Sequence, residues 1–340
     1  MELVGLGAWA LVAAEWLAVG CLSGLSWPGD AFWAARWALW LLSGAFLTGL
    51  AQLLLAVVGI GFSSVPLVLV VGAIIAVATR LLTGSHHTST SSHHTSMSEQ
   101  LEVAPRERIT WLGLAAVLMA ATIRSFVVPE AGWDAFSHWG LKAQAFALTG
   151  QIVDAKTVHE YYPPLVPLLE AWLSLHRGEV SIDFMKLVWP LVGGAFAICL
   201  AWHVRVAIGP TWLAPAFAIG ILLGTTQLLE SFWTGQADLA LTAYLTLATL
   251  AAWQWLHTAD RRWLVHIALF GAAAALTKYE GLPRVGVVVL ALLVEALLAR
   301  CRKHVQPALV LGVAAVVGYL PWLAFRWLHG IGATSEHISQ

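Results

Sequence analysis

Three ionisable side chains follow one another at intervals of four residues in the stretch AGWDAFSHWGLKAQAF, residues 131–146. On an α-helix, Asp134, His138 and Lys142 would share one face, so a carboxylate, an imidazole and an ammonium would point the same way. Such groups transfer protons and bind anions. We expect a helix lying in the membrane interface, with these groups facing an aqueous cavity. Its apolar face would consist of Trp133, Phe136, Trp139, Ala143, Phe146 and Ala147.

A structural interpretation of the same spacing is also open. Asp134 would then act only as a helix N-cap, and His138 and Lys142 would form a solvated face with weak i,i+4 pairing. Because ionisable groups near the apolar phase are costly, each one is nevertheless a candidate functional residue.

Two tyrosines precede two prolines in the stretch VHEYYPPLVPLLEAW, residues 158–172. The prolines fix an extended turn that leads into a short apolar helix. Tyr161 and Tyr162 either belong to the aromatic belt of the membrane or contact a ligand, and the sequence favours neither role.

Charged residues also mark the beginnings of two later apolar segments. Asp238, in SFWTGQADLALTAY, either caps a helix and favours its dipole or contributes a second acid to a site. The stretch ALTKYEGLPR places Lys278, Glu280 and Arg284 between two adjacent apolar segments. The two cations either pair with nearby acids or receive an anion.

The composition is that of an integral membrane protein. Of 340 residues, 59% are hydrophobic and only 11% are charged, and the mean hydropathy is +0.77. Apolar runs recur from end to end, so the fold class is all-α and polytopic, with about ten spans. The formal net charge of −1 argues against a nucleic-acid partner. We place the spans at 3–22, 33–58, 65–82, 109–128, 187–207, 211–229, 238–257, 262–277, 284–299 and 306–328.

The basic residues indicate an orientation for these spans. The segment 165–175 is too short for a bilayer, since eleven helical residues cover only about 16 Å. If it does not cross, the main basic groups all fall on one side, which the positive-inside rule assigns to the cytoplasm. These groups are Arg106 and Arg108, Arg205, Arg261 and Arg262, and Arg300, Arg302 and Lys303. Asp134, Asp238 and Lys278 then lie on the opposite side.

Four regions follow along the chain. Residues 1–82 form an N-terminal three-helix membrane segment, and 83–108 a Ser/Thr/His-rich cytoplasmic linker. Residues 109–330 contain nearly every polar group of chemical interest, and 331–340 form a tail. The paired histidines of the linker could bind a metal, but they lack a flanking acid or cysteine. The three cysteines lie far apart, which argues against a disulfide framework or a zinc set.

The order of these stretches resembles the GT-C superfamily of membrane glycosyltransferases, which includes protein O-mannosyltransferases and the lipid A aminoarabinose transferase. The resemblance covers roughly residues 109–330. It consists of an acid after a span (GWDAFSHWGLKAQAF), the YYPPL turn, the TGQAD stretch that leads a span, and LTKYEG in a later loop. In this chain Ala135 follows Asp134, where mannosyltransferases and the aminoarabinose enzyme have an Asp-Glu pair.

The resemblance implies transfer of a sugar from a polyprenyl-phosphate carrier to a lipid, glycan or protein acceptor, at the non-cytoplasmic face of the plasma (inner) membrane. Asp134 would be the general base and Asp238 the second acid. Six further residues would contact substrate together with Arg284: His138, Lys142, Tyr161, Tyr162, Lys278 and Glu280. A bound divalent cation stays open. The alternatives are a transporter or flippase for a lipid-linked or anionic substrate, and a non-catalytic membrane scaffold.

Overall fold

The computed structural model describes residues 3–23, 25–27, 31–64, 105–129, 132–153 and 159–332. Within these ranges the chain is all-helical, as the sequence predicts, and contains no strand. In chain order the α-helices are α1 Leu3–Leu22, α2 Trp33–Val57, α3 Pro105–Val127, α4 Leu141–Thr149, α5 Leu165–Arg177, α6 Ile182–Met185, α7 Val188–Ile208, α8 Leu213–Gly224, α9 Thr226–Thr234, α10 Ala237–Thr258, α11 Arg262–Thr277, α12 Gly281–Leu298 and α13 Val305–His329.

The helices are those of a multi-pass membrane protein. Seven described segments are long and apolar enough to cross a bilayer, and α8 with α9 would make an eighth although the pair is bent by 79°. Nine of the ten predicted spans lie within the described residues, and seven or eight of these are long and apolar enough to cross. Helix α11, Arg262–Thr277, has only 16 residues, which is short for a hydrocarbon core of about 30 Å. The predicted span 65–82 lies outside the described residues.

Small residues allow the first two helices to approach closely. A Cβ atom added to Gly20 would overlap the carbonyl oxygen of Trp40, and one added to Gly44 would overlap that of Trp16. Such close contacts are typical of membrane helices. In lipid, van der Waals packing between helices drives their association, and the hydrophobic effect does not. The α1–α2 pair is in turn joined to the remainder of the bundle, because Tyr244 donates a hydrogen bond from its hydroxyl to the carbonyl oxygen of Leu42 at 3.1 Å.

Helix α5 is the short apolar helix predicted after the two prolines. It has 13 residues, about 20 Å at 1.5 Å per residue, so it does not cross a bilayer. Every residue from Leu165 to Ser174 is buried, and the helix packs against α1, α2 and α4. It is thus enclosed by protein instead of lying on the surface of the bundle.

One end of the bundle carries most of its arginines, and we call it the basic end. Glu107, which is 2% exposed, accepts a hydrogen bond from Nε of Arg205 at 2.7 Å and so joins the start of α3 to the end of α7. Arg262 begins α11 at the same end. Helix α3 begins at Pro105, so residues 105–108 of the predicted linker are helical; residues 83–104 lie outside the described residues.

Candidate functional site

A π-helical turn shapes the stretch that carries Asp134. Residues Ala135–Gly140 form the π-helix, and α4 continues from it at Leu141. Ser137 donates from its hydroxyl to the carbonyl oxygen of Trp133 at 2.7 Å within this turn. Because a π-turn adds residues to the helical repeat, the faces no longer follow the 3.6-residue pattern; such turns are frequent at functional sites.

The polar stripe expected on this helix is only partly present. Asp134 is exposed and His138 half-buried, but Lys142 is buried, at 5% exposure, contrary to the prediction that it faces an aqueous cavity. Trp133 and Phe136, predicted for the apolar face, are exposed at 76% and 43%. The cause is the π-turn together with the segment around residue 159, which covers Lys142. The other residues predicted for the apolar face are buried: Trp139, Ala143, Phe146 and Ala147.

Lys142 is held by the segment that precedes the two prolines. Its Nζ donates a hydrogen bond to the carbonyl oxygen of His159 at 2.6 Å. The same ammonium lies 5.7 Å from the ring centroids of Trp139 and Tyr162, within the range of a cation–π contact. Lys142 therefore fixes the position of the 159–162 segment.

The 159–162 segment assembles a cluster of aromatic rings. His159 stacks on Tyr162 with centroids 4.8 Å apart, and its Nδ1 lies 3.2 Å from the hydroxyl of Tyr161. His138 meets the edge of His159 at 4.8 Å. Tyr279 stacks on Tyr162 at 6.0 Å and meets Tyr161 edge-on at 5.3 Å. We call these five residues the ring cluster.

A charged triad borders the ring cluster. Nζ of Lys278 lies 3.2 Å from Oδ1 of Asp238 and 4.0 Å from Oε1 of Glu280. Asp238 stands in the first turn of α10, where it makes no side-chain cap. Lys278 follows α11 and has an extended backbone conformation. Gly281 begins α12 and lies so close to Ala274 that a Cβ atom on Gly281 would overlap the carbonyl oxygen of Ala274. We call this region, opposite the basic end, the site end.

The structure brings the two predicted acids to the same end of the bundle. Asp134 lies 3.8 Å from Nδ1 of His138, and the charge of Lys278 also acts on His138. His159 is influenced by both Asp134 and Glu280. The predicted site residue Arg284 is exposed one turn into α12. Its backbone N–H donates to the carbonyl oxygen of Glu280 at 3.0 Å, but within the described residues its side chain has no hydrogen bond or ion pair with the triad.

Burial changes the protonation of several groups in this site. Burial lowers the pKa of Lys142 to about 7, against the opposing charge of Glu160. It also lowers the pKa of His138, opposed by Asp134, and that of His159, assisted by Lys142. Burial, with the charge of Glu280, raises the pKa of Tyr162 to about 12. Both imidazoles are therefore mainly neutral at pH 7 and able to accept a proton, while Lys142 is poised between its two forms.

The site holds carboxylates but no three-ligand metal group. Among the described residues, no set of three His, Cys, Asp or Glu side chains is positioned to hold a metal ion. Asp238 and Glu280 both direct an oxygen at the Lys278 ammonium, so that cation occupies the space between them. Asp134 faces His138 instead.

Three residues of this site were not predicted from the sequence. His159 and Tyr279 lie inside the stretches VHEYYPPLVPLLEAW and ALTKYEGLPR. Their position beside charged residues could have identified them as site residues. Trp322 donates from its indole nitrogen to the carbonyl oxygen of Tyr161 at 3.1 Å. Nothing in the apolar sequence of α13 distinguishes Trp322 from the other tryptophans of the chain. Comparison of the chain with protein-family models, with curated proteins and with solved structures gives no match.

Proposed function

We propose that this protein is a membrane glycosyltransferase with a GT-C-like fold, which moves a sugar from a polyprenyl-phosphate carrier to an acceptor. The reaction would take place at the non-cytoplasmic face of the plasma (inner) membrane. The observation that supports it best is the gathering of Asp134, Asp238 and Lys278 at the site end. These residues are far apart in sequence, and the basic end, which the positive-inside rule assigns to the cytoplasm, is opposite.

The chemistry needs a base for the acceptor and a cation for the leaving group. Asp134, whose side chain is 65% exposed, is accessible to an acceptor hydroxyl and takes its proton. The acceptor oxygen then bonds to the anomeric carbon while the bond from that carbon to the phosphate oxygen breaks. The phosphate leaves with the electron pair, and the ammonium of Lys278 stabilises it by donating a hydrogen bond from an N–H group that Asp238 does not use. Asp238 and Glu280 position that ammonium.

In this proposal the ring cluster lies between the base, Asp134, and the cation, Lys278. Tyr161, Tyr162 and Tyr279 form a set of ring faces and edges, and aromatic faces suit the apolar side of a sugar ring. His138, next to Asp134 and mainly neutral, can share the proton taken from the acceptor. The bound sugar would therefore span the distance from Asp134 to Lys278.

The test uses the purified full chain and a panel of radiolabelled polyprenyl-phosphate sugars with lipid and peptide acceptors. We expect transfer from one donor, and its loss in Asp134→Asn at unchanged expression and unfolding temperature. The matched control is Glu230→Gln, which neutralises an exposed carboxylate on α9. Absence of transfer from every donor would contradict the function. Full transfer by Asp134→Asn would remove Asp134 from the chemistry.

A transporter or flippase is the second candidate, and one observation favours it. Helices α8 and α9 form a broken apolar segment bent by 79°, and discontinuous helices are common in transporters. Against it, the charged triad lies where α10 and α12 begin and not at the middle of a span. Vesicles containing the protein distinguish the two, because a flippase moves a labelled lipid-linked sugar between leaflets without transferring the sugar to an acceptor.

A further inference from the structure

A second polar site lies at the basic end, away from the ring cluster. A cavity of about 250 Å³ opens between the segment that joins α1 to α2, the first turns of α2, and the start of α11. Its lining includes two arginines, Arg36 and Arg262, and two tryptophans, Trp27 and Trp40. None of these residues belongs to the site end.

The wall of this cavity is fixed by hydrogen bonds. The indole nitrogen of Trp27 donates to the carbonyl oxygen of Ala35 at 2.8 Å, and that of Trp40 donates to the carbonyl oxygen of Leu25 at 2.9 Å. Trp27 is 2% exposed and packs edge-on against His203 with centroids 4.9 Å apart. Both indole N–H groups are already used inside the wall, so the side-chain donors left for a ligand are those of the arginines and the hydroxyl of Ser26, and only the arginines are charged.

Among the described residues, Arg262 has an acidic partner at this cavity and Arg36 has none. Arg262 pairs with Asp260 through Nε and Nη2, at 2.6–3.1 Å, so the donors on its Nη1 stay available to another acceptor. Arg36 is exposed; its backbone N–H donates to the carbonyl oxygen of Phe32 at 3.3 Å, but its guanidinium has no hydrogen bond or ion pair with any described residue. A guanidinium binds phosphate oxygens through two parallel N–H groups, which makes arginine well suited to phosphate.

The surroundings point to a lipid as the source of the phosphate. Trp33 and Trp37, on either side of Arg36 in α2, are exposed at 66% and 51% and contact each other edge-on at 5.2 Å. Exposed tryptophans at the ends of membrane helices mark the headgroup level. Basic pockets between helices at the cytoplasmic side are typical binding sites of anionic lipid headgroups, and this cavity is smaller than the roughly 300–1,000 Å³ of drug-sized ligand sites.

We propose that this cavity binds the phosphate of an anionic phospholipid, with Arg36 and Arg262 as its two ligands. The lipid would connect the α1–α2 segment to α11 through one headgroup. Its acyl chains would leave past Trp33 and Trp37, which face outward on α2.

The experiment measures lipid retained by the purified full chain. The protein is exchanged into nanodiscs of phosphatidylcholine with a minor fraction of phosphatidylglycerol and then released from them. Native mass spectrometry then measures how much of each lipid stays bound to the protein. We expect retained phosphatidylglycerol, reduced about tenfold or more in Arg36→Gln, since a charge-assisted hydrogen bond is lost. Arg262→Gln should act in the same direction. The control, Arg261→Gln, removes the same charge from the neighbouring exposed arginine, which does not line the cavity.

A second measurement separates the lipid from free phosphate. Inorganic phosphate in the millimolar range is added to the delipidated protein, and the unfolding temperature is recorded. Retention of phosphatidylglycerol with little effect of free phosphate supports the proposal. Stabilisation by free phosphate that depends on Arg36, without lipid retention, would overturn the lipid assignment. Equal losses in Arg36→Gln and Arg261→Gln would overturn the site itself, because only diffuse surface charge would then attract the lipid.

Discussion

The ammonium of Lys142 donates to the carbonyl oxygen of His159 at 2.6 Å, across 17 residues of sequence. This bond joins the helix that carries Asp134 to the segment that assembles the ring cluster. Lys142 is buried, and burial lowers its pKa to about 7. The geometry of the site end therefore depends on a group that titrates close to neutral pH.

Lys142 should make the stability of the protein depend on pH. Its pKa is about 7 in the folded chain and near the ordinary 10.5 when unfolded, so the unfolded chain binds more protons between these values. The free energy of unfolding should then rise with pH from about 7 to about 10, by at most about 1.4 kcal/mol per pH unit. Thermal unfolding of the wild type and of Lys142→Met, recorded from pH 6 to pH 10, measures this slope.

The slope should disappear in Lys142→Met, while Lys303→Met, which removes an exposed ammonium at the basic end, should retain it. An identical pH dependence in wild type and Lys142→Met would show that Lys142 is fully protonated in the folded protein at all these pH values.

Lys278 should matter more for transfer than for stability. Its ion pairs with Asp238 and Glu280 are partly exposed, and such pairs contribute about 1 kcal/mol or less. If Lys278 stabilises the leaving phosphate by a charge-assisted hydrogen bond, Lys278→Gln should lower the transfer rate about 10²–10³-fold with a small change in unfolding temperature. Rates are compared at saturating donor, with Lys303→Gln as control. A loss of activity proportional to a loss of folded protein would assign Lys278 a structural role only.

Gly281 should be required for the corner that presents the charged triad. A Cβ at this position would overlap the carbonyl oxygen of Ala274, so Gly281→Ala should destabilise the protein by roughly 1–3 kcal/mol. Gly286, one turn further along α12, has open space around its Cβ position, and Gly286→Ala should be neutral or slightly stabilising. Unfolding temperatures of the two variants test the difference. Equal effects would mean that helix propensity and not close approach governs both sites.

The ion pair of Glu107 and Arg205 should be needed for stability at the basic end. Glu107 is 2% exposed, so Arg205→Gln leaves a buried carboxylate without its partner, at a cost of roughly 3 kcal/mol or more. Replacing both residues by glutamine should recover most of this loss, because no buried charge remains. Chemical denaturation of the single and double variants measures it. A double variant as unstable as Arg205→Gln would contradict the pairing.

Hydropathy predicted the helices well where they are long and regular. The bounds of α1 and α2 agree with the predicted spans within a residue, because lipid imposes length and composition together. The bend between α8 and α9 was not predicted, since the break at Thr225 carries no Pro or charge. Hydropathy measures how apolar a segment is and contains no information on the direction of the helix axis.

The site was predicted in its residue types but only partly in its geometry. Local spacing gave Asp134 and His138 as neighbours, which the structure shows at 3.8 Å. It failed for Lys142, because a π-turn changes the helical period and because tertiary cover by the 159–162 segment is not encoded in the helix itself. The pairing of Lys278 with Asp238, 40 residues apart, depends on how α10 and α11 pack. From the sequence alone it was therefore only one of two alternatives, pairing with an acid or binding an anion.

The enclosure of α5 sets an order for the assembly of this protein. A helix of 13 residues with ten consecutive buried positions is too short to insert into the bilayer as an independent span during synthesis. We expect it to dock after the helices that cover it, among them α1 and α2, have entered the bilayer. Biogenesis of the chain should then include a late docking step for α5, and we expect the 159–162 segment, which precedes α5, to take its position only after that step.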